Sequence, residues 1–374
     1  MGSSMIYLDN ASTTKPHPEV VKCMQETLDA HFANPSSTHS PGRASAGMLS
    51  CARSSILDAL GGKGNLFFTS GATEANNWAI QAALHKKRHQ GKHIIATAIE
   101  HDSVLAPLKQ LESEGYRVTL LHPATLLSAL NDALSDDTVL VVAMLTNNET
   151  GAILPIAEMV KLVREKSQAF FFTDAVQAFC KIPFSPMELG VDFLSVSAHK
   201  LRGPRGVGAL WTRPDLTISP FLRGGGQEDG LRSGTEALHN IVGFAKAVEL
   251  GQAHFAETTA HLNSLQTYLR EAFPKSLPEV TFLPQGAPHI VSLSLPNYKS
   301  EVLMNFLDSK GIFVSHASAC KRGGRSHVLT AMGLAPKIAD GTLRISFSDE
   351  TNTQELDVFI SALTEAQKTL FPSL

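Results

Sequence analysis

Asp174 and Lys200 are the first residues whose types and spacing indicate chemistry. Asp174 follows the phenylalanine-rich strand predicted at 169–173, and a carboxylate there needs a partner because burying an unpaired charge is costly. Lys200 ends the sequence Ser197-Ala198-His199-Lys200, which follows the next predicted strand. A desolvated lysine can form a Schiff base, and the serine and histidine before it could hold a phosphate. Taken singly, each residue has a structural alternative, a helix cap or a solvated lysine. Together they supply the parts that pyridoxal phosphate needs.

A glycine-containing turn after the first predicted strand offers a further phosphate contact. The sequence Ser70-Gly71-Ala72-Thr73 enters a helix, and free backbone N–H groups at a helix N-terminus bind phosphate. The alternative is that Thr73 serves as an ordinary helix cap. The chain contains neither G-x-x-x-x-G-K-[ST] nor G-x-G-x-x-G, so a nucleoside triphosphate or a dinucleotide is not the expected ligand.

Three further residues have suitable chemistry but a weaker individual signal. His101 follows a predicted strand, where an imidazole could stack on a cofactor ring and move protons. Cys320 is followed by Lys321 and Arg322, and such cations stabilise the reactive thiolate. Arg344 alternates with the apolar residues of a short strand, so its guanidinium could bind a carboxylate. The alternatives are a core histidine, a structural cysteine and an exposed arginine.

The elements that must position these residues alternate along the chain. Short apolar stretches are separated by helix-length amphipathic stretches, which indicates a mostly parallel sheet covered by helices. Ligands of such sheets lie beyond the carboxyl ends of the strands. The predicted strands are 66–69, 93–98, 117–121, 138–145, 169–173, 192–197 and 207–211, and the early ones are separated by helices near 73–90, 102–114, 125–134 and 155–167.

The pattern changes after a helical stretch at about 234–272. The remaining strands are predicted near 280–283, 290–295, 312–315 and 342–347, with helices near 300–310 and 353–370. This is typical of a smaller α+β domain. We therefore predict an N-terminal segment, 1–14, that contributes to the active site or the small domain. We also predict a large cofactor-binding domain, 15–258. A small C-terminal domain, 259–374, would follow it and contain the Cys320 loop.

The composition excludes several classes of protein. Of the 374 residues, 43% are apolar and 18% are charged, which provides a large core and gives no sign of disorder. A net charge of −3 argues against direct nucleic-acid binding, and the longest apolar run, 139–145, is too short to cross a membrane. The 4 cysteines include no C-x-x-C pair and we find no secretory signal, so we expect a cytoplasmic protein. No metal site is expected, because His85 and His89 enclose three cations.

The order of the motifs closely resembles one family, the NifS/IscS-type cysteine desulfurases of the class V aminotransferase group within the fold-type I pyridoxal phosphate enzymes. The resemblance implies an α/β fold with a large, mostly parallel sheet domain and a smaller α+β C-terminal domain. The motifs that carry it are Tyr7-Leu8-Asp9-Asn10-Ala11-Ser12-Thr13-Thr14, Asn34-Pro35-Ser36-Ser37, Thr69-Ser70-Gly71-Ala72-Thr73-Glu74, Glu100-His101, Asn147-Asn148-Glu149, Asp174-Ala175-Val176-Gln177, Ser197-Ala198-His199-Lys200, Arg232-Ser233-Gly234-Thr235, Ser318-Ala319-Cys320 and Leu343-Arg344-Ile345-Ser346-Phe347-Ser348.

The resemblance also implies a role for each candidate residue. Lys200 would be the Schiff-base lysine, and Asp174 would pair with the nitrogen of the pyridine ring. His101 would stack on the ring, and Gln177 would bond to its phenolic oxygen. The phosphate would be bound by Ala72, Thr73, Ser197 and His199. Thr235 would reach the phosphate of the other subunit in a homodimer. The substrate would be bound by Asn148, Arg344 and Asn34.

The implied reaction converts L-cysteine to L-alanine. Lys200 and His101 would move protons, and Cys320 would attack the substrate sulfur and keep it as a persulfide. A sulfur-acceptor protein in iron–sulfur cluster assembly or tRNA thiolation would then receive it. The nearest alternatives are a selenocysteine lyase or another class V aminotransferase, and a remote one is a non-catalytic pyridoxal phosphate-binding partner protein.

Three features depart from the family pattern. The segment after Cys320 is basic and shorter than the serine-rich segment of IscS-type members, which bears on the loop's reach and on its acceptor. The chain lacks the tail by which those members dock an iron–sulfur scaffold, so sulfur transfer towards tRNA thiolation or another acceptor is also expected. His316 stands where a small residue is usual and could join the proton chemistry.

Overall fold

The computed structural model of the protein describes residues 5–316 and 325–372. Within these residues the strands, in chain order, are β1 (Ile6–Tyr7), β2 (Asn65–Thr69), β3 (His93–Thr97), β4 (Arg117–Leu121), β5 (Thr138–Val142), β6 (Phe170–Asp174), β7 (Phe193–Ser197), β8 (Gly208–Thr212), β9 (Thr281–Phe282), β10 (Ile290–Ser294), β11 (Ile312–Phe313), β12 (Ser315–His316) and β13 (Thr342–Ser346).

The α-helices lie between these strands. They are α1 (Pro18–Ala30), α2 (Ser40–Ala59), α3 (Ala72–Lys87), α4 (Asp102–Ser113), α5 (Leu126–Ala133), α6 (Ile156–Lys166), α7 (Pro186–Leu189), α8 (Leu238–Ala253), α9 (Phe255–Ser276), α10 (Ser300–Ser309), α11 (His327–Ala331), α12 (Pro336–Ala339) and α13 (Thr353–Thr369). Short 3₁₀ helices occur at Pro123–Thr125 and Ala198–Lys200, and Glu228–Gly230 forms a turn whose residues have positive φ. None of the helices in the described residues is both long and apolar enough to span a membrane.

The chain forms two compact units. The larger unit consists of Lys15–Leu145 and Leu154–His254. The smaller unit takes its described residues from Met1–Thr14, Thr146–Ile153 and Phe255–Leu374. The segment Thr146–Ile153 therefore belongs with the C-terminal part of the chain, whereas the sequence patterns had placed it in the large domain.

The larger unit contains a seven-stranded sheet with the strand order β2-β8-β7-β6-β5-β3-β4. Strand β8 runs antiparallel to both of its neighbours, and the other adjacent strands are parallel. All strands except β8 consequently point in one direction, so their carboxyl ends share one edge of the sheet. The fold prediction, an α/β protein with a mostly parallel sheet, is confirmed.

One hydrophobic core of the larger unit lies between this sheet and helices α3 and α4. The residues of β3, β5, β6, β7 and β8 are all buried, as expected for strands covered on both faces. On α3, Trp78 is buried, packs against Phe67 with tilted rings whose centroids are 5.3 Å apart, and donates its indole N–H to the carbonyl oxygen of Ser219. The helix begins with Glu74 in its first turn and ends with basic residues, which matches the helix dipole.

The smaller unit has a four-stranded sheet in the order β12-β13-β10-β9 and a separate parallel pair, β1 with β11. Strands β10 and β13 form the antiparallel centre of this sheet. Helices α9 and α13 supply Phe273 and Phe359, whose rings pack edge to face. The first turn of α13 is fixed by a capping box, in which Asn352 and Glu355 exchange hydrogen bonds with each other's backbone N–H groups.

Candidate active site

The predicted cofactor residues of the larger unit follow strands that end at the same edge of its sheet. Strand β6 ends at Asp174, and its parallel neighbour β7 leads directly into the 3₁₀ helix Ala198–Lys200. Strand β3 leads into the segment that contains His101, and β2 leads into Gly71. The sheet therefore places these segments at the edge where ligands of open α/β sheets bind.

The turn between β2 and α3 has the geometry of an anion site. Gly71 precedes the helix with φ +154°, and no side chain caps the helix, so the first N–H groups, at Ala72 and Thr73, lie where helix N–H groups have no intrahelical partner. A Cβ atom at Gly71 would meet nothing within 4 Å, and a Cβ atom at Gly208 would lie 2.9 Å from the backbone of Gly71. A side chain at position 208 would thus obstruct the approach of β8 to this turn.

Asp174 is nearly buried and accepts two hydrogen bonds. Its Oδ1 accepts from the backbone N–H of Val176 at 2.9 Å, and its Oδ2 accepts from Nδ2 of Asn76 at 2.9 Å. Hydrogen bonds from an N–H stabilise an ionised carboxylate. The structure therefore holds Asp174 in a fixed orientation at the end of β6, and Gln177, also buried, lies in the turn that follows.

His101 is the N-cap residue of α4. Its Nδ1 accepts a hydrogen bond from the backbone N–H of Ser103 at 3.1 Å and lies 2.8 Å from the hydroxyl oxygen of the same serine. The ring is therefore fixed through Nδ1, while its side chain is exposed. Glu100, the preceding residue, is fully buried and accepts hydrogen bonds from Thr97 and from the backbone N–H of Met144.

Ser197, His199 and Lys200 lie together at the end of β7. Ser197 is buried, and the 3₁₀ helix begins directly after it. Burial, together with the nearby positive charges of Lys200 and Arg205, lowers the pKa of His199 to about 4. The imidazole of His199 is therefore neutral at physiological pH and can donate a hydrogen bond without adding a charge.

The loop that contains Thr235 is fastened by two ion pairs. Arg53 forms a two-pronged pair with Glu228 at 2.7 and 2.8 Å, and Arg232 forms another with Glu74 at 2.7 and 3.0 Å. Thr235 itself is exposed. This arrangement leaves the side of the loop at Thr235 facing solvent.

Asn34 lies in the turn before α2, and its backbone oxygen would lie 3.0 Å from a Cβ atom at Gly42 of that helix. Its side-chain oxygen accepts the backbone N–H of Ser36 at 2.8 Å, and the residue is exposed. Its observed contact is therefore one that shapes the turn.

In the smaller unit, Arg344 occupies the centre of a buried polar cluster. The side chain is almost fully buried, and it donates from Nη2 to Oδ1 of Asp9 at 2.8 Å and to the hydroxyl of Ser12. Its Nη1 donates to the backbone oxygen of Asn148 at 2.9 Å. Its Nε is buried and has no hydrogen-bond partner among the described residues, so the guanidinium keeps donor capacity beyond these contacts.

The segment that contains Asn148 is shaped by its neighbour Asn147. The side-chain oxygen of Asn147 accepts from the backbone N–H groups of Glu149 and Thr150 and from the hydroxyl of Thr150. Glu149 in turn accepts a hydrogen bond from Ser326. The smaller unit therefore holds two predicted substrate residues, Asn148 and Arg344, in direct contact.

Cys320 itself lies outside the described residues, which end at His316 before it and resume at Arg325 after it. On one side, His316 ends β12, and burial lowers its pKa. On the other side, Arg325 forms a two-pronged ion pair with Asp340 at 2.6 and 2.9 Å.

Sequence reasoning gave no role to four residues of these clusters, although Asp9 and Glu100 stand in quoted motifs: Asn76, Ser103, Asp9 and Glu100. Asn76 and Glu100 are both fully buried polar residues. In the sequence Asn76 is followed by the polar Asn77, so nothing in the local pattern of α3 marks it as buried. The pairing of Asp9 with Arg344 had no local signal, because the two residues are 335 positions apart in the sequence.

Comparison with known proteins identifies the class. The family model for class V aminotransferases matches residues 6–359, and the chain belongs to this family. It is 38% identical to the cysteine desulfurase IscS of Methanosarcina thermophila, over 96% of this chain and 91% of that protein. It is 36% identical to the cysteine desulfurase IscS of Clostridium botulinum, over 98% of this chain and 95% of that protein.

Solved structures lead to the same group. A NifS-like protein, 34% identical, superimposes with a TM-score of 0.92 over 98% of this chain and 100% of that one. SspA, solved in complex with cysteine, is 32% identical and superimposes with a TM-score of 0.80 over 93% of this chain and 100% of that one. The predicted membership of the NifS/IscS-type cysteine desulfurases, with their fold-type I architecture, is therefore confirmed.

Proposed function

We propose that this protein is a pyridoxal phosphate-dependent cysteine desulfurase that converts L-cysteine to L-alanine. The observation that carries the proposal is the placement of Asp174 and Lys200 after adjacent parallel strands, β6 and β7, at one edge of the sheet. The similarity to cysteine desulfurases over nearly the whole chain supports the choice of substrate.

The residues at this edge fit pyridoxal phosphate. The uncapped N-terminus of α3, with Ala72 and Thr73, suits the phosphate, as do Ser197 and the neutral His199. The carboxylate of Asp174 suits a protonated ring nitrogen, and Gln177 suits the phenolic oxygen. When it is bound, the cofactor supplies an electron sink next to the amino group of the substrate.

The chain's own residues supply the remaining chemistry. Lys200 offers an amine for covalent attachment of the cofactor and for proton transfer, and His101 exchanges protons from a fixed imidazole. Arg344, with Asn148 and Asn34, binds and orients the carboxylate of L-cysteine.

The sulfur is transferred to Cys320. The thiolate of Cys320 forms a bond to the substrate sulfur as the carbon–sulfur bond of the substrate breaks, and the former Cβ of cysteine gains a proton. L-Alanine leaves, and Cys320 keeps the sulfur as a persulfide, so the step needs no external oxidant. The basic residues Lys321 and Arg322 in the sequence favour the thiolate form.

The proposal extends to the assembly and its partners. We expect a cytoplasmic homodimer in which Thr235 of each protomer reaches the phosphate site of the other. The exposure of Thr235 on a loop anchored by two ion pairs supports this arrangement. The persulfide would pass to an acceptor protein of iron–sulfur cluster assembly or of tRNA thiolation.

Alanine formation tests the proposed reaction. Wild-type protein, incubated with L-cysteine and a reductant, should release alanine, and Cys320→Ala should release none. Cys51→Ala, which removes an exposed cysteine of α2, is the matched control and should behave as wild type. Absence of alanine from the wild-type protein with bound cofactor would contradict the proposed substrate. Persulfide on another cysteine in Cys320→Ala would show that this other cysteine is the nucleophile.

The cofactor assignment has its own test. Lys200→Ala should lose the absorbance band of the imine, because no other residue is proposed to supply that amine. Lys181→Ala, which removes another lysine of the larger unit, should keep the band. An imine band that persisted in Lys200→Ala would show that the lysine is wrongly assigned.

A further inference from the structure

Four side chains of the larger unit form a continuous hydrogen-bonded chain between Asp174 and His101. Oδ2 of Asp174 lies 2.9 Å from Nδ2 of Asn76, which lies 2.8 Å from the hydroxyl oxygen of Ser103. That hydroxyl lies 2.8 Å from Nδ1 of His101. The two middle residues, Asn76 and Ser103, are buried, so the bonds from Asn76 to Asp174 and to Ser103 are shielded from water, whereas the bond to His101 is only partly buried.

The chemistry of each group fixes the direction of this chain. The carboxylate of Asp174 can only accept, so Asn76 must turn its amide nitrogen towards it. The second hydrogen of that nitrogen then points at Ser103, whose hydroxyl oxygen accepts it. The hydroxyl hydrogen is left to donate to Nδ1 of His101, which already accepts the backbone N–H of Ser103.

This arrangement leaves one polar atom of Asn76 without a hydrogen bond within the described part of the chain. Its side-chain oxygen is buried and has no hydrogen-bond partner among the described residues. Rotating the amide by 180° would bring that oxygen against the carboxylate of Asp174. The orientation that leaves an oxygen unsatisfied is therefore the one that the charge on Asp174 requires.

We propose that Asn76 and Ser103 are positioning residues that hold His101 with its proton on Nε2, in a direction set by the carboxylate of Asp174. Nδ1 shares its lone pair between two donors, so His101 exchanges protons through Nε2 alone. The tautomer follows from this chain's own hydrogen bonds. Its use in moving protons during alanine formation rests on the function proposed above.

Nitrogen NMR of the histidine rings tests the tautomer directly. The purified protein, with its cofactor, is labelled with ¹³C,¹⁵N-histidine, and the His101 signals are identified by their absence in His101→Gln. Wild-type His101 should show a protonated Nε2 and a bare Nδ1. In Ser103→Ala, the ratio of the Nε2–H to the Nδ1–H tautomer should fall about five-fold, the effect of losing one hydrogen bond.

A second variant and two controls define the outcome. Asn76→Leu should lower the same ratio, because the hydroxyl of Ser103 is then free to accept from Nδ1–H. Ser113→Ala, in the same helix as Ser103, and Asn77→Leu, next to Asn76, should leave the ratio unchanged. A wild-type His101 with its proton on Nδ1, or a Ser103→Ala variant indistinguishable from Ser113→Ala, would overturn the proposal. If Asn76→Leu does not fold, Ser103→Ala decides.

Steady-state kinetics then tests whether the tautomer of His101 contributes to catalysis. Ser103→Ala should lower kcat for alanine formation by at most the about five-fold fall in the tautomer ratio and leave KM for L-cysteine within about two-fold, because general acid–base catalysis is impaired while binding is not. An unchanged kcat in a variant with a shifted tautomer would contradict the catalytic role. If wild-type protein forms no alanine, the proposed function fails, and the NMR result still decides the tautomer.

Discussion

The buried charge of Arg344 needs a partner whether or not a substrate is bound. Its side chain is 5% exposed, and the carboxylate of Asp9 is the anion that the smaller unit places against it. Removing one member of a buried ion pair is strongly destabilising, because the other charge remains without compensation. Asp9 thus compensates the buried positive charge of Arg344, the predicted substrate-binding arginine, in the folded protein.

Asp9→Asn should lower the free energy of unfolding by about 3 kcal/mol, because Asn keeps the hydrogen bond but not the charge. Added L-alanine, whose carboxylate can compensate Arg344, should raise the Tm of this variant more than that of the wild-type protein. Thermal unfolding with and without L-alanine measures both effects.

The matched control for Asp9 is Asp308→Asn, an exposed carboxyl group of α10. It should change neither the Tm nor the response to L-alanine. Equal responses of Asp9→Asn and the wild-type protein to L-alanine would contradict the proposed contact between Arg344 and the substrate carboxylate.

The elements of the sheet could be predicted from the sequence, and two N-terminal helices could not. Strands β2 to β8 were located because each is a short apolar run between turn residues. Helix α2 contains many serine, glycine and alanine residues, so its apolar face is weak. The reversed direction of β8 was also not predicted, because an apolar run indicates a strand but not the direction in which it runs.

The candidate site could be predicted to the extent that its residues follow strands. Asp174, Ser197 and Lys200 lie where the ends of β6 and β7 place them. Asn76 and Ser103 lie on helices, and their contacts depend on how α3 and α4 pack against the sheet. Sequence periodicity gives the face of a helix but not the partner of a single side chain.

The loop after β8 contains three consecutive residues with positive φ, at Glu228, Asp229 and Gly230. The first two have side chains, so this backbone is unfavourable and must be held by contacts. The side chain of Glu228, 2% exposed, supplies them by binding Arg53 and the backbone N–H of Phe68. The ion pair therefore fixes the loop that leads to Thr235.

Glu228→Gln should lower the free energy of unfolding by about 3 kcal/mol, because it leaves the guanidinium of Arg53 without its charge partner in a mostly buried place. Asp137→Asn breaks an ion pair with Arg117 in which both side chains are at least half exposed, and should cost less than about 1 kcal/mol. Urea unfolding of both variants gives the comparison. Equal costs would show that the Glu228 pair does not hold the loop.

The stability of the whole molecule should depend on pH through Glu100. Burial raises its pKa from an ordinary value of 4.5 to about 8. The folded protein therefore keeps a proton that the unfolded chain releases between these values, so the contribution of Glu100 falls as pH rises through this window. His199 acts in the opposite direction, because its pKa is lowered from 6.5 to about 4, but its effect is complete above pH 6.5.

Between pH 6.5 and 8 the contribution of Glu100 is therefore unopposed by His199. The free energy of unfolding of the wild-type protein should fall by about 2 kcal/mol across this interval relative to that of Glu100→Gln, which cannot ionise. Urea unfolding at the two pH values checks this difference. Parallel pH profiles for the two proteins would show that Glu100 does not carry a raised pKa.

The pairing of the two ends of the chain in the smaller unit has a consequence for synthesis on the ribosome. Asn10 bonds to a residue 336 positions later, and β1 pairs with β11. The segment that contains β1 and Asn10 therefore remains unpaired until β11 and β13 have been synthesised, while the larger unit, which ends at His254, can complete its sheet first. A ribosome stalled far enough beyond residue 254 for α8 to have left the exit tunnel, but before β11 is made, would display an assembled large unit and an unpaired β1.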